Sequence, residues 1–239
     1  MLKRTFALLA AAAALIMVSA TAASASAPAH PKWQSSAYDG TWNHDSFAFD
    51  NDMWNCPQAA CGKQTIWANT VNSWGATSRM AAGNTAVLTY PDIGMTFSGK
   101  RVTSYHLIRN GFSESMPNVA GLKAEAADDV WLNNYKIEIM IWVDNIGQSF
   151  SGDTRIGAAS IFGQTFNVWK NGSEYIFDLN HNETSGETHI LSSIYWLIRH
   201  GHVSSSVTLT RVDFGWEISS TSGQTVNFEM KKYWLHTKR

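Results

Sequence analysis

The chain is poor in the residues that staple small folds or mark common catalytic centres. Its 239 residues include two cysteines, Cys56 and Cys61, and five prolines. Two cysteines exclude a disulfide-rich scaffold. Their spacing is not Cys-x-x-Cys, and no second ligand cluster lies nearby, so a metal or redox pair is weakly supported. Charged residues make up only 15% of the chain and the formal net charge is -1. Without a basic excess, a nucleic-acid partner has no electrostatic support. There is no His-Glu-x-x-His, no Gly-x-Ser-x-Gly and no phosphate loop, which removes the best-marked metalloprotease, serine hydrolase and nucleotide-binding chemistries. His200-Gly201-His202 is a weak metal hint in a loop after a helix. Asn171-Gly172-Ser173 and Asn182-Glu183-Thr184 match the glycosylation acceptor pattern.

The long apolar run is confined to the start. Lys3 and Arg4 precede a nearly uncharged segment from Phe6 to Ala25, rich in alanine. Small residues at Ala23-Ser24-Ala25 and Ala25-Ser26-Ala27 suit a signal peptidase, so residues 1–25 are expected to be a signal peptide, with a second possible cut after 27. A membrane anchor ranks lower, because no stop-transfer pattern follows, and the mature form is expected to be free of the membrane. Removing Lys3 and Arg4 takes the charge from -1 to about -3. No Pro/Ser/Thr-rich linker and no fixed-period repeat divides the remainder, so 28–239 is expected to be one domain and a monomer. In an exported protein Cys56 and Cys61 are expected to pair, stabilising by roughly 2 kcal/mol across so short a loop.

Against these scarcities stands an aromatic excess of 11 Trp, 11 Phe and 7 Tyr. A core absorbs many aromatics, but sugar rings also stack on them. Residues 28 to about 36 read as a mobile leading segment. Then come short β-rich runs ending at turn residues: 86–90, 101–107, 136–143, 165–169, 174–179, 207–218 and 224–233. Asn171-Gly172 is a hairpin signal. One helix is expected over 189–200, where Ile190, Ile194, Leu197 and Ile198 approximate one face. Many strands and one short helix imply an all-β fold of two packed sheets, one curved into a cleft.

Two strands carry candidate chemistry. Side chains alternate along a strand. Ile137, Ile139, Ile141 and Val143 therefore share a core face, while Glu138, Met140 and Trp142 share the other. A carboxylate, a thioether and an indole in a row suit a groove floor better than a solvent face. In the second strand Val212, Phe214, Trp216 and Ile218 point one way, and Asp213, Gly215 and Glu217 the other. Gly215 is expected to leave room for a ligand beside Glu217. Retaining glycosidases need two carboxyl groups roughly 5–5.5 Å apart, and two strands of one sheet can supply them.

These segments resemble glycoside hydrolase family 12. Glu138-Ile139-Met140-Ile141-Trp142 resembles its nucleophile strand and Phe214-Gly215-Trp216-Glu217-Ile218 its acid/base strand. Ala126-Ala127-Asp128-Asp129-Val130-Trp131 resembles the stretch whose aspartate sits beside the nucleophile, which maps to Asp129; the family has a tyrosine or similar residue where Asp128 stands. Asp50-Asn51-Asp52-Met53-Trp54 resembles a motif with a substrate-stacking tryptophan, which maps to Trp54, and Asp52 replaces an asparagine. The matches run in the family's order. The resemblance implies a jelly-roll sandwich and retaining endo cleavage of β-1,4-glucan, with Glu138 as nucleophile and Glu217 as acid/base; the leader-like segment implies secretion. Trp54, Met140 and Trp142 would then bind substrate, without metal or organic cofactor. Alternatives are a xyloglucan- or mixed-linkage-specific enzyme, a xylanase of the related jelly-roll family, and a non-catalytic carbohydrate binder on the same fold.

Overall fold

The computed structural model describes residues 28–56 and 61–239, so the expected signal peptide lies outside the described residues. In chain order the strands are β1 (Trp33–Ser35), β2 (Thr41–His44), β3 (Phe47–Asp50), β4 (Gly62–Thr70), β5 (Ser73–Met80), β6 (Asp92–Thr96), β7 (Leu107–Ser115), β8 (Leu122–Leu132), β9 (Ile137–Ile146), β10 (Thr154–Ile161), β11 (Gln164–Asn171), β12 (Glu174–Leu179), β13 (Ser185–Thr188), β14 (Leu209–Thr221) and β15 (Val226–Lys238). The helix α1 spans Ile190–Arg199. Six strands form one sheet in the order β1-β4-β5-β15-β7-β13. Nine form the other, β10-β11-β12-β9-β8-β14-β6-β3-β2. All neighbours pair antiparallel except β12 and β9. This is a two-sheet jelly-roll β-sandwich with one short α-helix among the described residues.

Alternation drives the layering. Val212, Phe214, Trp216 and Ile218 of β14 are fully buried between the sheets, as are Ile139, Ile141 and Val143 of β9. Trp216 packs on Trp74 of the opposite sheet (ring centroids 4.9 Å apart), and Phe214 on Phe112 (5.1 Å). The helix closes one end of the core with Ile190, Ile194 and Leu197. Cys56 and Cys61 form a disulfide.

Three local readings need correction. The leading segment is not wholly unstructured: β1 pairs with β4 through Trp33–Ser35. Residues 86–90 give one isolated bridge, Thr89 to Ile218, because Pro91 interrupts the run and Asn84 anchors the preceding turn on the Ala86 and Ser219 carbonyls. Residues 101–107 hold a single 3-10 turn, Val102–Ser104, and the strand begins only at Leu107. Val102 and Tyr105 turn inward three residues apart, the period of a 3-10 turn rather than the alternation of a strand. The strands β4 and β5 left little sequence signal. They carry Gly62, Gly75 and many polar residues, and their pairing depends on partners far along the chain.

One buried polar ring joins the sheets. Asn110 on β7, Thr188 on β13 and Asp128 on β8 are wholly buried. The Asn110 amide donates to Asp128 Oδ1, and the Thr188 hydroxyl lies 2.5 Å from both Asn110 Oδ1 and Asp128 Oδ2. That hydroxyl has one hydrogen, so three contacts close only if Asp128 supplies the third. Burial accordingly pushes the Asp128 carboxyl up to about 8, against the hydrogen bonds from Thr188 and Asn110. The unfolded chain releases this proton near pH 4. The native state thus binds more protons between about pH 4 and about pH 8, and stability falls as pH rises through that window. Asp128→Asn preserves the ring's shape and donors without titrating. Thermal melts should show Asp128→Asn more stable than wild type at pH 8.5, by on the order of 5 kcal/mol or about 10 °C. Near pH 4 the two should converge. Parallel pH profiles for the two proteins would refute the buried proton.

Candidate active site

The nine-stranded sheet sets Glu125, Asp129, Glu138, Glu174, Asp213 and Glu217 on the face away from the core. β8 lies between β9 and β14, and the register fixes who meets whom. Glu138 at the start of β9 is opposite Trp131 of β8 and Glu174 of β12. Asp129 of β8 is opposite Met140 and Asp213. Glu217 of β14 is opposite Glu125 of β8. A cavity of about 290 Å3 is lined by Glu138, Glu217, Glu174, Met140 and Trp54, with Asn55, Ala86 and Val87. Trp54 stands at this cavity with 52% of its surface exposed. It sits in the turn after β3, where the Tyr38 hydroxyl donates to its carbonyl at 2.6 Å. Met140 lines the same cavity but is 2% exposed.

Trp142 shares their face, yet it lies under another ring rather than on an open floor. Phe150, from the loop after β9, stacks on Trp142 (4.9 Å) and on Trp169 of β11 (4.6 Å, planes 2° apart). Gly215 also has a role different from the one expected. A Cβ there would meet the Pro91 carbonyl oxygen at 2.3 Å and Asp92 Cα at 2.8 Å. Glycine is required by the close approach of the segment at β6, and it opens no space for a ligand. His200 and His202 stack on Trp196, at 4.0 and 5.9 Å.

No protein-family profile matches the chain. Solved structures do. The xyloglucanase domain of NopAA, a type three effector from Sinorhizobium fredii solved with cellobiose, is 25% identical over 87% of this chain and 100% of that one, with a TM-score of 0.77. The family 12 xyloglucanase from Bacillus licheniformis is 20% identical over 86% of this chain and 100% of its own, at 0.74. The Humicola grisea Cel12A catalytic domain, solved with a thio cellotetraose, is 18% identical over 86% and 99%, at 0.76. The chain has the family 12 glycoside hydrolase fold. Within that fold Glu138, Asp129 and Glu217 occupy three successive strands, β9, β8 and β14, of the nine-stranded sheet.

Acids dominate the electrostatics of this sheet. Burial, then the charges of Glu174 and Glu217, push Glu138 up to about 8, and a hydrogen bond from Asp129 opposes them. Asp129 is held well above the carboxylate range by burial, then by Glu138 and Asp213. A protonated Asp129 that donates to Glu138 favours the ionised form of Glu138. Glu217 is also held well above its ordinary range, by burial and then by Glu125. A second cavity, of about 330 Å3, is lined by Asp129, Asp213 and Arg211 among others. Arg211 Nε donates to Asp213 Oδ1 at 2.5 Å and one terminal nitrogen to Asp50 Oδ2 at 2.5 Å, with Asp92 Oδ1 at 3.4 Å.

Two glutamates escaped the sequence reading. Glu125 was legible in principle, since Glu125, Ala127, Asp129 and Trp131 alternate on one face. Glu174 directly follows the Asn171-Gly172 turn, and only the parallel pairing of β12 with β9 brings it beside Glu138. Trp54, as the exposed ring at the cavity, should carry ligand stacking without carrying the fold. Trp54→Ala should raise the dissociation constant for a soluble β-1,4-glucan oligosaccharide about 10-fold, or about 1.4 kcal/mol, at an unchanged melting temperature. Calorimetry showing equal affinity would place the ligand elsewhere.

Proposed function

We propose that the protein is a secreted retaining endo-β-1,4-glucanase acting on cellulose-type glucans. The observation that carries this reading is the convergence of Glu138 and Glu217 on one cavity with the exposed ring of Trp54. A purely binding protein has no need of two buried carboxyls whose charges interact. Export is supported by the leader-like sequence of residues 1–25 and by the Cys56–Cys61 disulfide. Residues 28–239 are read as the single catalytic domain. A xyloglucan substrate is the second reading, favoured by the xyloglucanases among the similar structures.

In this mechanism the glucan lies across the sheet, with one sugar against Trp54. Glu138 attacks the anomeric carbon while Glu217 gives its proton to the leaving oxygen. The bond to the leaving sugar breaks, and a glycosyl ester forms on Glu138. Glu138 loses its charge as Glu217 gains one, so the net charge of the cavity is conserved. Glu217 then takes a proton from water, which releases the sugar with its original configuration and restores both groups. Asp129 holds its own proton toward Glu138 and disperses charge on the nucleophile.

Substitution distinguishes the two glutamates. Glu138→Ala and Glu217→Ala should each lower kcat on glucan on the order of 10³-fold or more. With an activated aryl glycoside, azide should rescue Glu217→Ala and yield a β-glycosyl azide. Azide with Glu138→Ala should yield the α-glycosyl azide, because the anion occupies the vacated nucleophile position. Reversed stereochemistry would exchange the roles, and inverted product from wild type would reject double displacement. A panel of carboxymethylcellulose, mixed-linkage glucan, xyloglucan and xylan identifies the polymer.

A further inference from the structure

Glu125 has no part in the two-glutamate scheme, yet it is completely buried in β8. Neither of its carboxyl oxygens has a hydrogen-bond partner of ordinary geometry. Directly opposite residues of an antiparallel pair have Cβ atoms roughly 4.5–5.5 Å apart. Glu125 and Glu217 are such a pair, on one face of adjacent strands. Two carboxyls in that position, out of water, cannot both ionise without large cost.

We propose that Glu125 is a positioning residue for Glu217: the two carboxyls share a proton, and Glu125 keeps Glu217 in its acid form until a leaving oxygen accepts that proton. The inference rests on the hydrolase reading above. The surroundings reinforce it. Glu174 from β12, Glu138 from β9, Asp129 from β8 and Asp52 from the segment after β3 all interact with the pair, and all are acids. Gln148, from the loop after β9, is the neutral group on the Glu125 side. Its amide also meets Ser219 Oγ, through Nε2 at 2.9 Å and Oε1 at 3.1 Å. Burial raises Glu125 itself to about 7, with the hydrogen bond from Glu217 acting in the opposite sense.

The pair serves both half-reactions. In the first, the O–H bond of Glu217 breaks as the leaving-group O–H bond forms. Glu217 is then an anion facing Glu125, at the moment Glu138 becomes a neutral ester. Repulsion from Glu125 opposes that ionisation, so the proton leaves only as the leaving oxygen takes it, and the resulting anion is a stronger base for the second half-reaction. In the second, Glu217 takes the proton of the attacking water, Glu138 departs as carboxylate, and the pair again holds one proton. Protons and charge balance at each step.

Glu125→Gln keeps the shape and replaces the carboxylate by an amide that can donate to Glu217, which lowers its proton affinity. On a cello-oligosaccharide, the alkaline limb of kcat/KM should move about one pH unit or more to lower pH. On an aryl glycoside whose leaving group needs no proton, the limb should stay in place. An unmoved limb on the oligosaccharide, or a shift upward, overturns the proposal. Carboxyl 13C NMR titration of the wild-type protein covers the case in which the variant fails to fold. Both Glu125 and Glu217 carbons should then report two coupled steps, and independent single-step titrations overturn the proposal as well. The NMR reading needs no turnover. A wild type without glucan hydrolysis therefore rejects the hydrolase reading, whereas an active enzyme with independent carboxyls rejects the pair alone.

Discussion

The two-residue period of three adjacent strands, locked by burial of one face, is the constraint on which the rest depends. Val212, Phe214, Trp216 and Ile218 can be dry only in one register of β14. Slipping that strand by one residue would drive Arg211, Asp213 and Glu217 between the sheets and expose Trp216. The cost of that exchange, in buried indole and unpaired charge, is far larger than any gain on the outer face. The apolar half of each strand therefore positions the polar half. Glu138 and Glu217 keep their places because Ile139, Ile141, Phe214 and Trp216 keep theirs.

The second constraint is the density of acids relative to cations. Arg211 offsets Asp50, Asp92 and Asp213 at one side of the sheet. Around Glu138 and Glu217 the interacting groups are carboxyls, and protons held on Asp129 and Glu217 keep their charges apart. The same physics operates inside the core, where Asp128 completes a ring with Asn110 and Thr188 only as the neutral acid. Glu114 repeats it: burial raises its carboxyl to about 8, while Trp216 Nε1 donates to it at 2.9 Å. Both faces of β8 thus bear protons, Asp128 toward the core and Asp129 on the other side.

Short aromatic contacts shape the remaining surface. Phe150 covers Trp142 and stacks on Trp169, so an indole that shares the face of Glu138 is withdrawn from the groove. Trp54, held by the Tyr38 hydroxyl through its carbonyl, remains open. Two tryptophans from equally suggestive motifs therefore differ in accessibility because of a loop that contacts only one of them.

The sequence by itself determined the all-β class, the helix near 190–199 and the faces of β9 and β14, because period-two alternation is a local property written in consecutive residues. It also singled out Glu138 and Glu217, whose polar face is set by their own apolar neighbours. Tertiary structure decided what depends on partners distant along the chain. It set the order of nine strands, the parallel pairing that brings Glu174 to Glu138, and the register that puts Glu125 opposite Glu217. It also assigned Gly215 to the crowding at Pro91 rather than to a ligand, and gave Asp128 to the core. Pairing between strands is fixed by burial summed over the whole sandwich, and no single segment encodes that sum.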